Sequence, residues 1–447
     1  MLAREPTNPD RGPTLNFSRR QKTAYTLAAL VTFAVAAEGG VRLVCWAVGR
    51  VPYTAATPWC VADDDLLYAL KPHFEGKVYQ ATARINNLGM RGEDIAVSKA
   101  AGTSRVLCLG DSRTFGFVVR DDECYPARLQ PLLRERHPSH RVEVLNAGTH
   151  GYSSYQGLRY LEVRGARLQP DVVTVAFGAN ERRFVLKPEQ ADGPEWFHPA
   201  ARSLRWRTRV SWSYAMLGAM KLLSHARGED TWRKDVLALP SQRLDDLSCR
   251  VSLGAYRANL SRLARWCRER KIGLVFFIME DAPPIERAFE EGRRLRREKR
   301  YDEAIAAFSR VGRESADPLT GPWFKALVLD ELGLTREAQG RRDEAQAAFR
   351  ESAQAAAVWS VMGGTAIRQA REYNEVARVV AREFRVPTVD IASQFLQRPE
   401  LFADYCHYTA EGHRLIAEAL ADCLDRNDLS GPLPKRSERM EVGGRRE

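Results

Sequence analysis

The apolar positions of this chain fall into short runs that alternate with amphipathic stretches. The first run, residues 106–109, is followed by a pattern with helical spacing at about 124–136. The further apolar runs are residues 142–145, 172–177, 273–278 and 387–391, and the further helical patterns are 154–166, 251–270, 366–384 and 410–424. Strands that alternate with helices predict an α/β fold with a parallel five-stranded sheet, which binds its ligands beyond the carboxyl ends of the strands.

The N-terminal part of the chain has a different pattern. Residues 1–18 are polar, contain three prolines and are predicted to be a disordered tail. Residues 19–48 begin with three Lys or Arg residues and continue as an apolar segment whose only charges are Glu38 and Arg42. This segment is long enough to span a bilayer. Because the basic residues precede it, we expect a single-pass membrane anchor with the rest of the chain outside the cytoplasm, in the periplasm of a bacterial cell.

Two other interpretations of the N-terminal segment stay open at this point. The tripeptide at residues 34–36 resembles a signal-peptide cleavage site, and cleavage there would release a secreted protein. The segment can also be a buried helix of a soluble protein. The sequence does not decide among the three.

Three segments lie outside the strand–helix pattern. Residues 62–103 are a lead-in with weak alternation, predicted to form strands and turns that pack on the main domain. Residues 184–249 contain several tryptophans and an apolar helix-like run at 212–223, and are predicted to be a helical insertion that covers the sheet edge or touches the membrane. Residues 426–447 are a polar tail.

Residues 285–360 contain two helical-hairpin patterns, the second 41 residues after the first. Small and aromatic residues recur in them at the spacing of a tetratricopeptide repeat, so we predict a tetratricopeptide-like helical insertion. Two repeats are too few for a free-standing solenoid, and a protein partner is a candidate ligand. The basic run at residues 293–300 is interpreted as a solvated helix face, with an acidic partner as the alternative.

Composition narrows the classes of function. The net charge is +11, but the basic residues are scattered and no nucleic-acid-binding motif is present, so we do not expect nucleic acid as a ligand. Eight cysteines occur without a C-x-x-C pair or a histidine spacing suited to zinc, and we predict neither a metal nor a cofactor. Disulfides in an exported chain and buried thiols are both open alternatives.

The candidate chemistry lies where the predicted strands end. Ser112 follows the first strand at a turn into a helix, where free backbone N–H groups can stabilise an oxyanion. Gly148 follows the second strand and Asn180 the third. Asp404 and His407 follow the fifth strand, immediately before the last helix. All of these positions therefore fall on one edge of the predicted sheet.

Their residue types fit nucleophilic catalysis at a serine. His407 is predicted to take the proton from Ser112, and Asp404 to hold the imidazole in the required tautomer. The backbone N–H groups of Ser112 and Gly148, with the side-chain amide of Asn180, are predicted to form an oxyanion hole. The competing interpretation is that Ser112 caps an ordinary strand-to-helix turn.

This set of motifs resembles the SGNH hydrolases, the GDSL branch of lipases and acyl esterases. The matching motifs are Gly110-Asp-Ser112, Gly148, Gly178-Ala-Asn180 and Asp404-x-x-His407. The resemblance implies a flavodoxin-like three-layer fold, with the hydrolase domain over residues 104–284 and 361–425. The N-terminal segment and lead-in also look like those of membrane-anchored bacterial members. Two departures, Arg113 beside the nucleophile and Glu181 where the family commonly has Asp, leave the substrate pocket open.

We therefore expect an extracytoplasmic, membrane-anchored serine esterase that forms an acyl-enzyme, with an O-acyl group on a glycan or a lipid as its candidate substrate. An O-acyltransferase would use the same residues, and a scaffold that binds a partner through the helical insertion is the alternative from another class. Asp111 is interpreted as ordering the turn. His150 and His413 are interpreted as surface or helix histidines, with substrate contact as the alternative.

Overall fold

The computed structural model of the chain describes residues 17–48, 58–78, 81–182, 191–210, 212–226, 249–279, 283–314, 321–359, 370–395, 398–403 and 406–429. It divides into two compact units, one comprising Met1–Ala55 and Trp206–Glu229 and the other Ala56–Arg205 and Asp230–Glu447. Most of the two predicted tails, residues 1–16 and 430–447, lies outside the described residues.

The elements follow the order expected from the sequence. The strands are β1 (Cys60–Asp63), β2 (Leu67–Leu70), β3 (Glu75–Val78), β4 (Ala81–Arg84), β5 (Thr103–Gly110), β6 (Arg141–Gly148), β7 (Val172–Ala176), β8 (Gly273–Ile278) and β9 (Thr388–Asp390). The helices are α1 (Arg19–Val48), α2 (Ser112–Phe115), α3 (Tyr125–Arg136), α4 (Ser154–Val163), α5 (Pro194–Val210), α6 (Tyr214–Ala226), α7 (Leu253–Glu269), α8 (Pro283–Arg297), α9 (Tyr301–Glu314), α10 (Gly321–Ala338), α11 (Arg342–Trp359), α12 (Ala370–Phe384), α13 (Ile391–Phe395) and α14 (Ala410–Arg426).

The main sheet has five parallel strands in the order β6-β5-β7-β8-β9, which confirms the predicted flavodoxin-like α/β fold. Strand β5 lies between β6 and β7, so the strand order reverses there. Gly110 at the end of β5 pairs with Gly148 on one side and Ala176 on the other. Three consecutive loops therefore leave the sheet side by side, at the edge where such folds bind ligands.

Alternate residues of the buried strands face two separate apolar layers. In β5, Leu107 and Leu109 belong to the layer that holds α4, α7 and α12. Val106 and Cys108 belong to the layer that holds α3 and α14. The sheet therefore lies between two layers of helices. Because both of its faces are buried, apolar residues point to both of them, and the strands appear in the sequence as continuous apolar runs.

The lead-in forms two antiparallel hairpins, β1–β2 and β3–β4, as the turn-rich pattern predicted. Arg91, in the loop after β4, bridges to Asn146 of β6 and so ties the lead-in to the main sheet. No disulfide joins any of the eight cysteines, and five of them are buried.

The insertion predicted at residues 285–360 consists of two helical hairpins, α8–α9 and α10–α11. Each hairpin has a glycine on its first helix against a phenylalanine ring on its second: Gly292 lies against Phe308, and Gly333 against Phe349. Both glycines and both phenylalanines are 41 residues apart, the interval found in the sequence. The assignment to the tetratricopeptide class stays a prediction.

The basic run of the insertion is only partly a solvated face. Arg293 and Arg296 both contact the carboxylate of Glu331 at 2.6 Å, and Glu331 is buried. Since Glu331 lies on α10, these ion pairs join the two hairpins. The sequence interpretation missed this contact because Glu331 lies 35 residues from Arg296 and 38 from Arg293.

The first unit pairs the N-terminal helix with part of the predicted insertion at 184–249. Helix α1 is apolar and long enough to cross a membrane, and none of its apolar window is buried. Helix α6 packs against it. The exposed apolar surface of α1 disagrees with the alternative of a buried helix in a soluble core.

Candidate active site

The candidate nucleophile lies on a tight turn between β5 and α2. Strand β5 ends at Gly110, Asp111 is the helix N-cap, and Ser112 is the first helical residue. A Cβ atom at Gly110 would collide with the side chain of Thr114 and lie 2.9 Å from the carbonyl oxygen of Ala176. Only glycine lets the strand and the turn approach so closely, and this approach fixes Ser112 at the sheet edge.

His407 reaches this serine from the loop before α14. Its Nε2 lies 2.8 Å from the Oγ of Ser112. When Nδ1 carries the ring proton, Nε2 accepts the hydrogen bond from the serine hydroxyl. The ring also packs against Phe117, with 5.3 Å between centroids. Asp404, predicted to orient the imidazole, lies outside the described residues.

Asp111 and Arg113 form a buried pair beside the nucleophile. The carboxylate accepts the backbone N–H of Arg113 at 2.9 Å and its Nη2 at 2.9 Å. Both side chains are excluded from solvent. The pair orders the turn, in agreement with the interpretation of Asp111, and gives the unusual Arg113 a structural role.

Two of the three predicted oxyanion donors carry an N–H hydrogen that has no acceptor among the described residues. The backbone N–H of Ser112 has no acceptor among the described residues. Asn180 uses one side-chain hydrogen, from Nδ2 to the carbonyl of Tyr152 at 3.0 Å, and an amide group carries a second. The N–H of Gly148, however, donates to Oδ1 of Asn146 at 3.0 Å. Its oxyanion role stays a prediction that requires this bond to break.

Arg91 holds the turn that carries the nucleophile, a role the sequence analysis missed. Its Nη1 donates to the carbonyl of Phe115 at 2.9 Å and its Nη2 to that of Val119 at 2.8 Å. Its Nε pairs with Asp121 at 2.6 Å. The buried guanidinium thereby satisfies carbonyl groups at the end of α2. In sequence, Arg91 is marked only by its place at the end of the lead-in.

Glu181 organises the loop after β7. Its carboxylate accepts the N–H of Ser154 at 2.6 Å and that of Gly178 at 2.9 Å. The side chain is fully buried, and this burial raises its pKa. The longer side chain, in place of the family's usual Asp, links the Asn180 loop to the start of α4.

Arg250 organises the loop after β6 through side-chain hydrogen bonds. It donates to the carbonyl of Gly151 and to the side chains of Gln156 and Asp192, each within 2.6 Å. Asp192 in turn accepts a hydrogen bond from Ser153. No local sequence signal marks Arg250, because its partners lie 58 or more residues away.

The two flanking histidines have different environments. His150 is partly buried among aromatic rings: Phe117 stacks on it at 5.9 Å, and Trp59 and Tyr68, on either side of β1, lie at 5.9 and 5.8 Å. Phe117 also contacts the candidate catalytic histidine, so His150 belongs to a wall beside the site. His413 is buried, and its Nδ1 accepts the N–H of Tyr125 at 3.3 Å, which agrees with a helix histidine.

Within the described part of the chain, no group of three or more His, Cys, Asp and Glu side chains could hold a metal ion. The arrangement at the sheet edge instead provides a hydroxyl, an imidazole in contact with it and nearby N–H donors. These are the groups required for nucleophilic acyl transfer.

Residues 108–326 match the model of the GDSL-like lipase/acylhydrolase family. No curated protein sequence matches the chain. Similar solved structures include LAE5, an alpha/beta hydrolase from the metagenome of Lake Arreo (17% identity, TM-score 0.34, covering 73% of this chain and 98% of that one). They also include Axe2, an acetylxylan esterase from Geobacillus stearothermophilus (15% identity, TM-score 0.34, covering 71% of this chain and 93% of that one). A lipase/acylhydrolase from Enterococcus faecalis is similar as well (14% identity, TM-score 0.34, covering 74% of this chain and 98% of that one). The family match thus indicates a GDSL-like lipase/acylhydrolase domain over residues 108–326, and with it an ester-cleaving hydrolase.

Proposed function

We propose that the chain is a serine esterase that works through an acyl-enzyme at Ser112. The observation that carries this proposal is the 2.8 Å contact between the Oγ of Ser112 and Nε2 of His407. Ser112 attacks the ester carbonyl as His407 takes its proton, and His407 then returns the proton to the departing alcohol. Water, deprotonated by the same imidazole, releases the carboxylic acid and restores the serine.

The developing oxyanion is held by the N–H of Ser112 and the amide of Asn180. The hydrogen bond from Asn180 to Tyr152 supports this role, because it fixes the amide plane before substrate arrives. Asp404 keeps its proposed role as the group that orients His407.

The substrate class we propose is an O-acyl ester on a glycan or a lipid. The aromatic wall of Trp59, Tyr68, Phe117 and His150 supports this proposal, since ring faces offer apolar surface to a sugar ring or an acyl chain. Tyr68 comes from the lead-in and Trp59 lies three residues before it, which makes the lead-in part of the proposed pocket.

We also propose that α1 anchors the enzyme in the membrane with the hydrolase domain outside the cytoplasm. The basic residues before the apolar segment and its lack of burial support this orientation and this role. A cleaved signal peptide is the competing outcome of the topology experiment below.

The catalytic assignment is tested with single variants assayed on a short-chain p-nitrophenyl ester. We expect Ser112→Ala and His407→Ala each to lower kcat by about 10⁴-fold or more, with a thermal midpoint close to that of the wild type. Asn180→Ala should lower it by about 10²–10³-fold. The exposed Ser139→Ala is the matched control and should keep full activity. Wild-type turnover in Ser112→Ala would overturn the assignment.

The topology is tested by adding protease to intact spheroplasts. We expect digestion of the hydrolase domain, with a short N-terminal fragment left in the membrane. Protection that is lost only on lysis would place the domain in the cytoplasm. A soluble mature protein that begins near Ala37 would identify α1 as a signal peptide.

A further inference from the structure

Glu38, the acidic residue within the apolar helix α1, binds the start of helix α6. Its carboxylate accepts the backbone N–H groups of Tyr214 and Ala215, each at 3.0 Å, and the hydroxyl of Ser213 at 2.8 Å. These donors are 175 or more residues away in sequence. A residue that interrupts an apolar helix thus satisfies the N-terminal N–H groups of a second helix.

Arg42 completes this contact from the next turn of α1. It pairs with Glu38 at 2.7 Å and donates to the carbonyl of Trp212 at 2.6 Å. Its guanidinium lies 4.4 Å from the ring centre of Tyr214. The two charged residues of the apolar segment are therefore paired with each other and with the α6 segment. This pairing lowers the free energy required to place them in or near a bilayer.

Their position along α1 corresponds to one boundary of a bilayer. Lys22 is the last basic residue of the N-terminal cluster, and Glu38 and Arg42 follow it by 16 and 20 residues. At 1.5 Å per helical residue these intervals are about 24 and 30 Å, close to the thickness of the hydrocarbon core. If Lys22 lies at one surface, the start of α6 lies at the other.

Helix α6 has an apolar face that nothing in the described structure covers. Leu217 points inwards and is 7% exposed, whereas Leu222 is 72% and Leu223 56% exposed. Met216 lies on the same exposed face, and Trp212 just before the helix is 72% exposed. A helix with one side packed and an apolar stripe on the other is typical of helices that lie in the membrane interface.

We propose that residues 212–226 form a second membrane-contacting element, whose exposed face enters the lipid of the outer leaflet beside α1. This inference rests on the proposed anchor. Continuity with the surface of α1 favours lipid over a protein partner, because Leu43, Val44 and Trp46 near the same end of α1 are also exposed. Trp46 and Trp212 then contribute to an aromatic belt at the interface.

The proposal is tested with the full chain in vesicles of phosphatidylethanolamine and phosphatidylglycerol that contain a lipid with a diazirine on its acyl chain. After irradiation, we expect lipid adducts on α1 and on the α6 face that contains Met216, Leu222 and Leu223. The charged helix α11 is the internal control and should remain unlabelled. Adducts on α1 without adducts on α6 would overturn this inference alone, and the absence of adducts on α1 would overturn the anchor itself.

A second measurement tests the contact that positions α6. In the same vesicles, Glu38→Ala removes the acceptor of the Tyr214 and Ala215 amides, and their hydrogen exchange should accelerate by about tenfold or more. Lipid adducts on α6 should fall in parallel. Thr26→Ala, on the same helix, is the control and should leave both readouts unchanged. Both variants should keep wild-type activity on a soluble ester. Unchanged exchange in Glu38→Ala would remove the basis of the proposal.

Discussion

His413 lies at the start of α14, between the rings of Tyr125 and Tyr408. It is 1% exposed, and burial, followed by the nearby Arg91, lowers its pKa to about 3. The unfolded chain therefore binds a proton at this position at a higher pH than the folded chain does. Its contribution to stability is complete above about pH 6.5 and is lost as the pH falls towards 3.

Replacing this histidine should flatten the acid side of the stability profile. We expect the free energy of unfolding of His413→Gln to fall less steeply than that of the wild type as the pH is lowered. The difference between the two free energies should change by about 2 kcal/mol between pH 6.5 and pH 5. Denaturant unfolding at several pH values measures this difference. Ser98→Ala, at an exposed position without a titratable group, should retain the wild-type slope. Parallel profiles for His413→Gln and the wild type would show that His413 is protonated in the folded chain.

At the scale of elements, the hairpins of the insertion depend on close contact between helices. A Cβ atom at Gly292 would lie 2.5 Å from the ring of Phe308, which is fully buried. Helices α8 and α9 can therefore approach closely only with glycine at this position. This contact explains why a small residue recurs at the same place in both hairpins.

Gly292→Ala should accordingly separate the hairpin. We expect it to destabilise α8 and α9 by about 1–3 kcal/mol through overpacking, seen as faster hydrogen exchange in those two helices. Gly254→Ala on α7 is the matched control, because a Cβ there meets nothing within 4 Å and should be neutral or slightly stabilising. Equal exchange in Gly292→Ala and the wild type would show that the hairpin yields without strain.

At the scale of the molecule, the insertion has an apolar core of its own. That core includes Phe289, Phe308 and Leu332, and none of its members belongs to the two layers around the main sheet. The insertion begins after β8, and the chain re-enters the hydrolase domain at α12, before β9. An insertion with a separate core can act as a lid or as a partner platform without supplying catalytic groups.

Replacing residues 283–359 with a short Gly/Ser linker should therefore leave a folded hydrolase. We expect it to react with a fluorophosphonate probe at Ser112 and to cleave a small activated ester at a rate near that of the wild type. Activity on the acylated glycan or lipid should fall sharply. Loss of probe reactivity in a folded protein would mean that the insertion builds the active site, and unchanged activity on both substrates would mean that it has neither role.

The sequence by itself determined the fold and the order of the site residues. Its apolar runs are long enough to be buried strands, and each is separated from the next by an amphipathic helix, which is compatible only with a parallel layered sheet. Ser112, Asn180 and His407 were predicted as site residues because they follow strands, and the ends of parallel strands meet at one edge. Strand ends differed by no more than three residues, and the largest difference arises because β6 continues to Gly148 through backbone pairing that apolar patterning does not report.

Only the tertiary structure decided what holds these residues in place and what surrounds them. Arg91, Glu181 and Arg250 act through backbone groups of distant loops, and a sequence pattern cannot show a partner that folding brings near. For the same reason the 2.8 Å contact between Ser112 and His407, 295 residues apart, was a prediction until the chain was folded. The pairing of Glu38 with α6 is of this kind as well, because hydrophobic periodicity describes one element at a time, whereas a hydrogen bond between elements depends on their positions in space.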